Sequence, residues 1–314
     1  MEQMRSKTKI AWLIPQGENL NWSSALRLRR LDIYRELSKD KYNDVCSPKL
    51  FREYMNTPIE VLYEEIKDYD AILFAEQSEY DYLLMSRLRE NQVRPLIIRD
   101  HCENIWGFPW EAKCFYLSDI VVCSSYKLQE IARSYQLNNL VVIEEHYEKV
   151  DNLDPKPNLL GYMGTDGKYA EYIATLAKNV GWNVEILCRP DNNVQGSIEW
   201  TVGNWKEHFR TYSALIAPQR PEMIAKSPAK VIQGLGNGMP VIASNVDSYR
   251  RYVRNGIDGY ICDTLEDWSE AFKNLRVHME MLRENAKQSY IKYDFSLQSI
   301  AMKWLSLFNT KHDF

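Results

Sequence analysis

Short apolar runs alternate with segments of helical period along nearly the whole chain. Residues 9–15, 70–75, 94–99, 120–124 and 140–143 are compact runs of strand length, and 82–89 and 126–135 between them read as helices. The segment after the first run places Leu26, Ile33 and Leu37 on one helical face. Continuous rather than alternating apolar runs belong to strands buried on both faces, so this rhythm predicts a parallel sheet covered by helices. The rhythm stops at 144–158, EEHYEKVDNLDPKPN, which is polar, proline-bearing and without period. That segment reads as a linker. Beyond it come runs at 159–163, 183–188, 198–200, 214–217 and 239–243, with helices expected at 169–180 and 205–210, after Ser227-Pro228, and at 265–284 and 295–308. The expected organisation is α/β: one domain at 1–150, a second at 151–294, and a helix at 295–314. The last helix carries Ile300, Trp304 and Leu307 but has no strand after it, so its apolar face must find another surface.

The stretch from 212 to 262 organises the second half. Its apolar run ends at Pro218, a polar loop follows, and Ser227-Pro228 opens a helix carrying Val231, Ile232 and Leu235. Serine can accept from an amide left orphaned at a helix start, and proline there lacks only an N–H that would be unpaired anyway. The helix ends at Gly236 and Gly238, and the next apolar run begins at once, giving a βαβ crossover. Its helix start therefore faces the carboxyl edge of a parallel sheet, where ligands bind in doubly wound folds. Lys226 and Lys230 flank it. Exposed amides and two ammonium groups form a cradle for a diphosphate.

Lys226-Ser227-x-x-Lys230-x-x-Gln233 followed by Gly238-x-Pro240-Val241-Ile242-Ala243-Ser244 resembles the donor-nucleotide segment of GT-B glycosyltransferases of the family-four type, the glycosyl transferases of group 1. Asn255-Gly256-x-Asp258-Gly259-Tyr260 looks like the turn that follows in that family. The resemblance implies two Rossmann-like domains facing across a cleft, with the C-terminal helix crossing back to the first. It implies that 1–150 binds the acceptor and 151–294 a nucleoside diphosphate sugar. Carried over residue by residue, it assigns Lys226, Ser227 and Lys230 to the diphosphate and Gln233 to the ribose. Gly164 and Lys168 fall where the family has a glycine and a lysine after the first strand of the second domain. Trp205 lies in the segment that in relatives helps to hold the base, and Arg189 ends a strand on the same side. The family's acidic pair would fall at Ala225 and Gln233, so neither carboxylate is present, and Glu222 is a candidate substitute.

On the acceptor side the candidates for catalysis are Arg27, Asp100 and His101, the last two expected at the carboxyl end of the strand 94–99. His101 and Arg27 also have plain readings, a satisfied loop histidine and a solvated helix face. The expected reaction is transfer of a sugar from a nucleoside diphosphate donor, a UDP or GDP sugar, to an unknown acceptor hydroxyl. The acceptor classes are a glycan, a lipid-linked saccharide, a small molecule or a modified nucleic acid. Retention and independence from metal are expected, with no cofactor beyond the donor. A silent GT-B domain that binds nucleotide or a partner subunit, a transferase acting on modified DNA bases and a sugar-nucleotide epimerase are the alternatives.

Composition narrows this little further. The chain of 314 residues carries a net charge of −4, which provides no general field for nucleic acid or anionic membrane. The Arg27, Arg29, Arg30 cluster is a short basic one, and only Glu103 lies near a strand end as an epimerase would need. Six scattered cysteines without a CxxC pair read as reduced thiols of a cytoplasmic protein. The basic start with Arg5, Lys7 and Lys9 precedes an apolar run too short for a signal or a span, so no integral membrane anchor is expected. Asp68-Tyr69-Asp70 reads as an acidic turn and Gly236-Asn237-Gly238 as a helix stop. Trp106, Phe108 and Trp110 read as loop or core packing, and no metal site is expected.

Overall fold

A computed structural model describes residues 7–14, 26–75, 78–90, 95–102, 109–165, 167–190 and 193–309. Gly17, Asn21, Ser23, Ser24, Glu103, Asn104, Trp106, Phe108 and Asp166 lie outside the described residues. The chain forms two units, Met1–Glu144 together with Leu297–Phe314, and Glu145–Ser296.

In the first unit β1 (Thr8–Ile14) is followed by a wide π-type turn at Leu26–Leu31, α1 (Asp32–Leu37), β2 (Cys46–Arg52), α2 (Ile59–Ile66) and β3 (Ala71–Phe74). Then come α3 (Glu79–Arg89), β4 (Leu96–His101), α4 (Pro109–Leu117), β5 (Ile120–Cys123), α5 (Tyr126–Ser134) and β6 (Leu140–Val142). Their sheet is wholly parallel in the order β2-β1-β3-β4-β5-β6. Strands β1, β3 and β5 are buried along nearly their whole length, as the continuous apolar runs require. Three elements escape the apolar pattern: edge strand β2, α2 and α4.

The second unit holds β7 (Leu159–Met163), α6 (Gly167–Asn179), β8 (Asn183–Cys188), β9 (Ile198–Glu199), α7 (Trp205–Phe209) and β10 (Ala214–Ala217). It continues with α8 (Ala229–Gly236), β11 (Val241–Ser244), α9 (Asp247–Arg250), β12 (Gly259–Cys262) and the long α10 (Leu265–Tyr293). Here the parallel order is β12-β11-β10-β7-β8-β9. The order reverses between β7 and β10. Such a switch point opens a crevice at the carboxyl ends of the strands, because the two flanking connections leave to opposite faces. One core gathers Tyr162, Ile173, Trp182, Ile216, Trp268 and Phe272 beneath α6 and α10.

The final helix, α11 (Leu297–Phe308), belongs to the first unit. It packs against α1, with Trp304 and Phe308 at ring-centre distances of 6.1 and 5.7 Å from Trp12 of β1. Thr8 donates to Asn309 at 2.8 Å, and Lys303 lies 3.4 Å from Glu144. No helix among the described residues is long and apolar enough to cross a membrane.

Candidate functional site

At the β7/β10 switch point α8 packs on β10 and β11 and reaches β7 through Lys230. Lys230, on the first turn of α8, donates to the Tyr162 hydroxyl at 3.2 Å, and its ammonium lies 4.4 Å from the centre of that ring. Gly164 follows β7 directly, and a Cβ there would come within 2.6 Å of Lys230 Nζ and 2.7 Å of Tyr162 Oη. A larger residue there would push the end of the lysine aside, so glycine lets the ammonium keep this position. The two residues that the sequence placed 66 positions apart form one corner.

The helix start is displaced by one residue from the sequence expectation. α8 begins at Ala229, with Pro228 before it, and Ser227 Oγ accepts from the Ala229 amide at 3.1 Å. The Ser227 hydroxyl donates in turn to Glu145 Oε2. Lys226 is half-buried, and its amide donates to Met223 O at 3.3 Å. Lys168 is exposed on the first turn of α6, and Arg189 is half-buried at the end of β8. Trp205 is buried edge-on against Phe209 at 5.8 Å, and its indole N–H has no hydrogen-bond partner among the described residues. Glu222 is exposed, 3.6 Å from Arg220, while Ala225 is buried.

Gln233 has a different occupation from the one carried over to it. Its amide donates to Glu148 O at 2.7 Å and accepts from Glu148 N at 2.9 Å, pairing both backbone groups of that residue. One turn later Asn237 accepts from Val150 N at 2.8 Å and donates to Glu148 O at 3.1 Å. An i, i+4 pair on the helix thus reads an i, i+2 pair on the extended linker. Gly236 serves the same docking, since a Cβ there would lie 2.5 Å from the Tyr147 ring. Gly238, at φ +68°, is the helix stop that the sequence suggested. The turn at 255–260 is also architectural. Buried Asp258 accepts from Arg254 N and Nε, each at 2.7 Å, and from Ser289 Oγ.

In the first unit, β4 runs on through Asp100 and His101 instead of ending at Arg99, and it buries both. Alternation sends them to opposite faces. Asp100 accepts from Arg29 Nε and Nη2 at 2.9 and 2.6 Å and from Arg30 Nε at 3.4 Å. Arg29 also donates to Ile143 O at 2.6 Å and Arg30 to Ala75 O at 2.8 Å, so one carboxylate pins the π-type turn to three strand ends. Both arginines are buried. They are not the exposed basic surface that a nucleic-acid acceptor would use. Arg27 is buried as well, 3.7 Å from Asp32.

His101 is 0% exposed, edge-on to Phe115 at 5.0 Å, with Nδ1 3.7 Å from Glu111 Oε1. Burial, and next the charge of Arg99, push it down to about 3, so it is neutral at physiological pH. Arg99 shares its side of the sheet and lies 4.9 Å from the centre of the Phe115 ring. The sequence signal for all this was the run RDH, in which a strand carries three polar residues that need partners. None of the six cysteines is joined in a disulfide among the described residues.

No protein-family model matches the sequence, and no curated protein matches it either. Solved structures do. Anabaena HepE, crystallised with UDP and glucose, superposes with a TM-score of 0.71 at 11% identity, over 97% of this chain and 100% of that one. The lipopolysaccharide outer core galactosyltransferase WaaB gives 0.64 at 12%, over 95% and 99% of the two chains. This chain has the GT-B fold. The same fold relates it to TarM, with a TM-score of 0.61 at 12% identity over 80% of this chain; here it spans only 57% of TarM's length. The GT-B plan places the Lys230 corner in the second Rossmann-like unit and the Asp100 clamp in the first.

Proposed function

We propose that this chain transfers a glycosyl group from a nucleoside diphosphate donor to an acceptor hydroxyl, retaining the configuration at the transferred carbon. The observation that carries the reading is the Lys230–Tyr162–Gly164 corner at the switch point of the second sheet, an ammonium group held where a doubly wound fold receives its ligand. In the reaction the bond between the sugar and the diphosphate breaks and the acceptor oxygen takes its place. The nucleoside diphosphate leaves with the negative charge, and the acceptor proton passes to solvent or to the departing phosphate. Lys230, Lys226, Lys168, Arg189 and the amides at the start of α8 are assigned to neutralising that charge, without a divalent metal. Trp205 is assigned to the neighbourhood of the base. HepE was crystallised with UDP, which supports UDP as the first nucleotide to test, with GDP beside it.

In the first unit Asp100 is a positioning residue, acting through Arg29 and Arg30 on the turn after β1. His101 and Arg27 are retained as acceptor-side candidates. Acceptor classes remain glycan, lipid-linked saccharide, small molecule and modified nucleic acid. Release of nucleoside diphosphate from UDP and GDP sugars, with acceptors of each class and with or without EDTA, tests the proposal. Acceptor-dependent release unaffected by EDTA is the expected result, and loss in EDTA restored by manganese contradicts the metal-free mechanism.

One observation favours a second reading, a GT-B domain that binds nucleotide without transfer. Positions 225 and 233 carry no carboxylate, and the Gln233 amide is spent on the Glu148 backbone. Nucleotide binding without release from any donor would select it.

A further inference from the structure

Helices α3 and α4 follow the neighbouring strands β3 and β4 and pack together on one side of the first sheet. Their first turns therefore lie side by side at its carboxyl edge. Tyr82 stands on the first turn of α3 and Trp110 on that of α4, and helical side chains lean towards the helix start, which carries both rings to that edge. The ring planes are 27° apart with centres separated by 5.5 Å. Lys113, one turn beyond Trp110, leans back over the pair, its ammonium 4.3 Å from the centre of the Trp110 ring and 4.9 Å from that of Tyr82. Tyr82 in turn packs on a core that includes Leu84, Met85 and Cys114. The seat is fixed from below and open above, since Tyr82 and Trp110 are half-buried and Lys113 is exposed.

Packing between two helices accounts for the stacked rings but not for their polar ends. Among the described residues the Lys113 ammonium forms no ion pair or hydrogen bond, and the Trp110 indole N–H and the Tyr82 hydroxyl, both open to solvent, form none either. Three unspent donors thus rim two aromatic surfaces. The C–H groups of a pyranose lie favourably against the electron-rich face of an aromatic ring, its hydroxyls reach polar groups at the rim, and an ammonium adds a place for one negative charge. A nucleic acid or an anionic lipid surface calls for several cations, whereas this group offers one in a chain of net charge −4. Building on the transfer reading above, we propose that Tyr82, Trp110 and Lys113 seat the acceptor, and that the acceptor is a saccharide carrying a carboxylate on the seated sugar.

Calorimetry on the full chain without nucleotide tests this, with hexasaccharides of hyaluronan and of mannuronate as acidic probes and chitohexaose as the neutral one. At least one acidic probe should bind about 5-fold or more tightly than chitohexaose, and about 0.5 M salt should erase most of that preference. Lys113→Gln, a change at an exposed position, should abolish the preference while leaving chitohexaose within about two-fold, and Lys113→Arg should keep it. Trp110→Leu should weaken every saccharide by about 3- to 10-fold. With the favoured probe as acceptor, Lys113→Gln should raise KM and preserve kcat. Failure of both acidic probes to outbind chitohexaose overturns the proposal, and so does a preference that survives Lys113→Gln or an affinity that survives Trp110→Leu. Binding of phosphatidylglycerol vesicles that is lost in Lys113→Gln, with no saccharide bound, would make the group a membrane contact instead. Saccharide binding without release of nucleoside diphosphate from any donor overturns the acceptor role together with the transfer reading. Transfer to an acidic saccharide that neither variant alters overturns the seat alone, so the two failures are distinguishable.

Discussion

Gly164→Ala isolates the corner on which the donor site rests. Gly164 has no positive φ, so alanine is tolerated by the backbone and the whole effect is steric. The added Cβ would meet Lys230 Cε and Nζ at 2.6 Å and Tyr162 Oη at 2.7 Å, distances that force something to move. The flexible end of Lys230 moves most easily, so the stability cost should stay below about 1.5 kcal/mol. The ammonium, however, loses its 3.2 Å bond to Tyr162 and its place over the ring. If that ammonium donates a charge-assisted hydrogen bond to phosphate, displacing it costs about 1.5–3 kcal/mol, a rise of about 10- to 100-fold in the dissociation constant for the nucleoside diphosphate. Calorimetry on wild type, Gly164→Ala, Lys230→Ala and the double variant forms a cycle. The double variant should bind no more weakly than Lys230→Ala alone, because the alanine acts through the lysine. Wild-type affinity in Gly164→Ala, or additive losses in the double variant, would refute the reasoning.

Three further outcomes follow from the first unit. Asp100→Ala leaves Arg29 and Arg30 buried without their shared carboxylate and should destabilise the protein by about 3–5 kcal/mol in denaturant titration; a loss under 1 kcal/mol would show that the clamp is dispensable. Trp304→Ala removes a fully buried indole from between Trp12 and Phe308 and should cost about 3–5 kcal/mol, read in the same way. His101 has a folded-state value of about 3 against an ordinary 6.5, so the unfolded chain binds the extra proton between those values. Its contribution is present above pH 6.5 and is lost as pH falls towards 3, with a slope of at most about 1.4 kcal/mol per pH unit. His101→Gln should flatten the stability profile in that window, and an unchanged slope would contradict the buried neutral state.

The parallel architecture was legible because strands such as β3, β5 and β10 are unbroken apolar runs between helices. β2 was not, since Cys46–Arg52 is an edge strand that places serine, proline and lysine at a half-exposed border, and edge strands need no apolar run. α4 shows no clear apolar face, and β12 is four residues emerging from a turn. β4 seemed to stop at Arg99 because the run RDH is charged. The strand continues because Arg29 and Arg30 neutralise Asp100 on one face while Phe115 and Glu111 receive Arg99 and His101 on the other. At the candidate site, the lysines and the glycine stood out by spacing. The backbone partner of Gln233 did not, because it belongs to a residue 85 positions earlier, and backbone partners leave no mark in side-chain identity. Glu145 was hidden for a similar reason, as one acid in the polar linker that only folding brings to Ser227.

Hydrogen exchange of the full chain with and without saturating nucleoside diphosphate tests the central claim most directly. Placement of the donor at the β7/β10 switch point predicts that UDP or GDP slows exchange in peptides covering 162–168 and 226–236. Protection confined to other segments, or none with UDP, GDP or ADP, would contradict it.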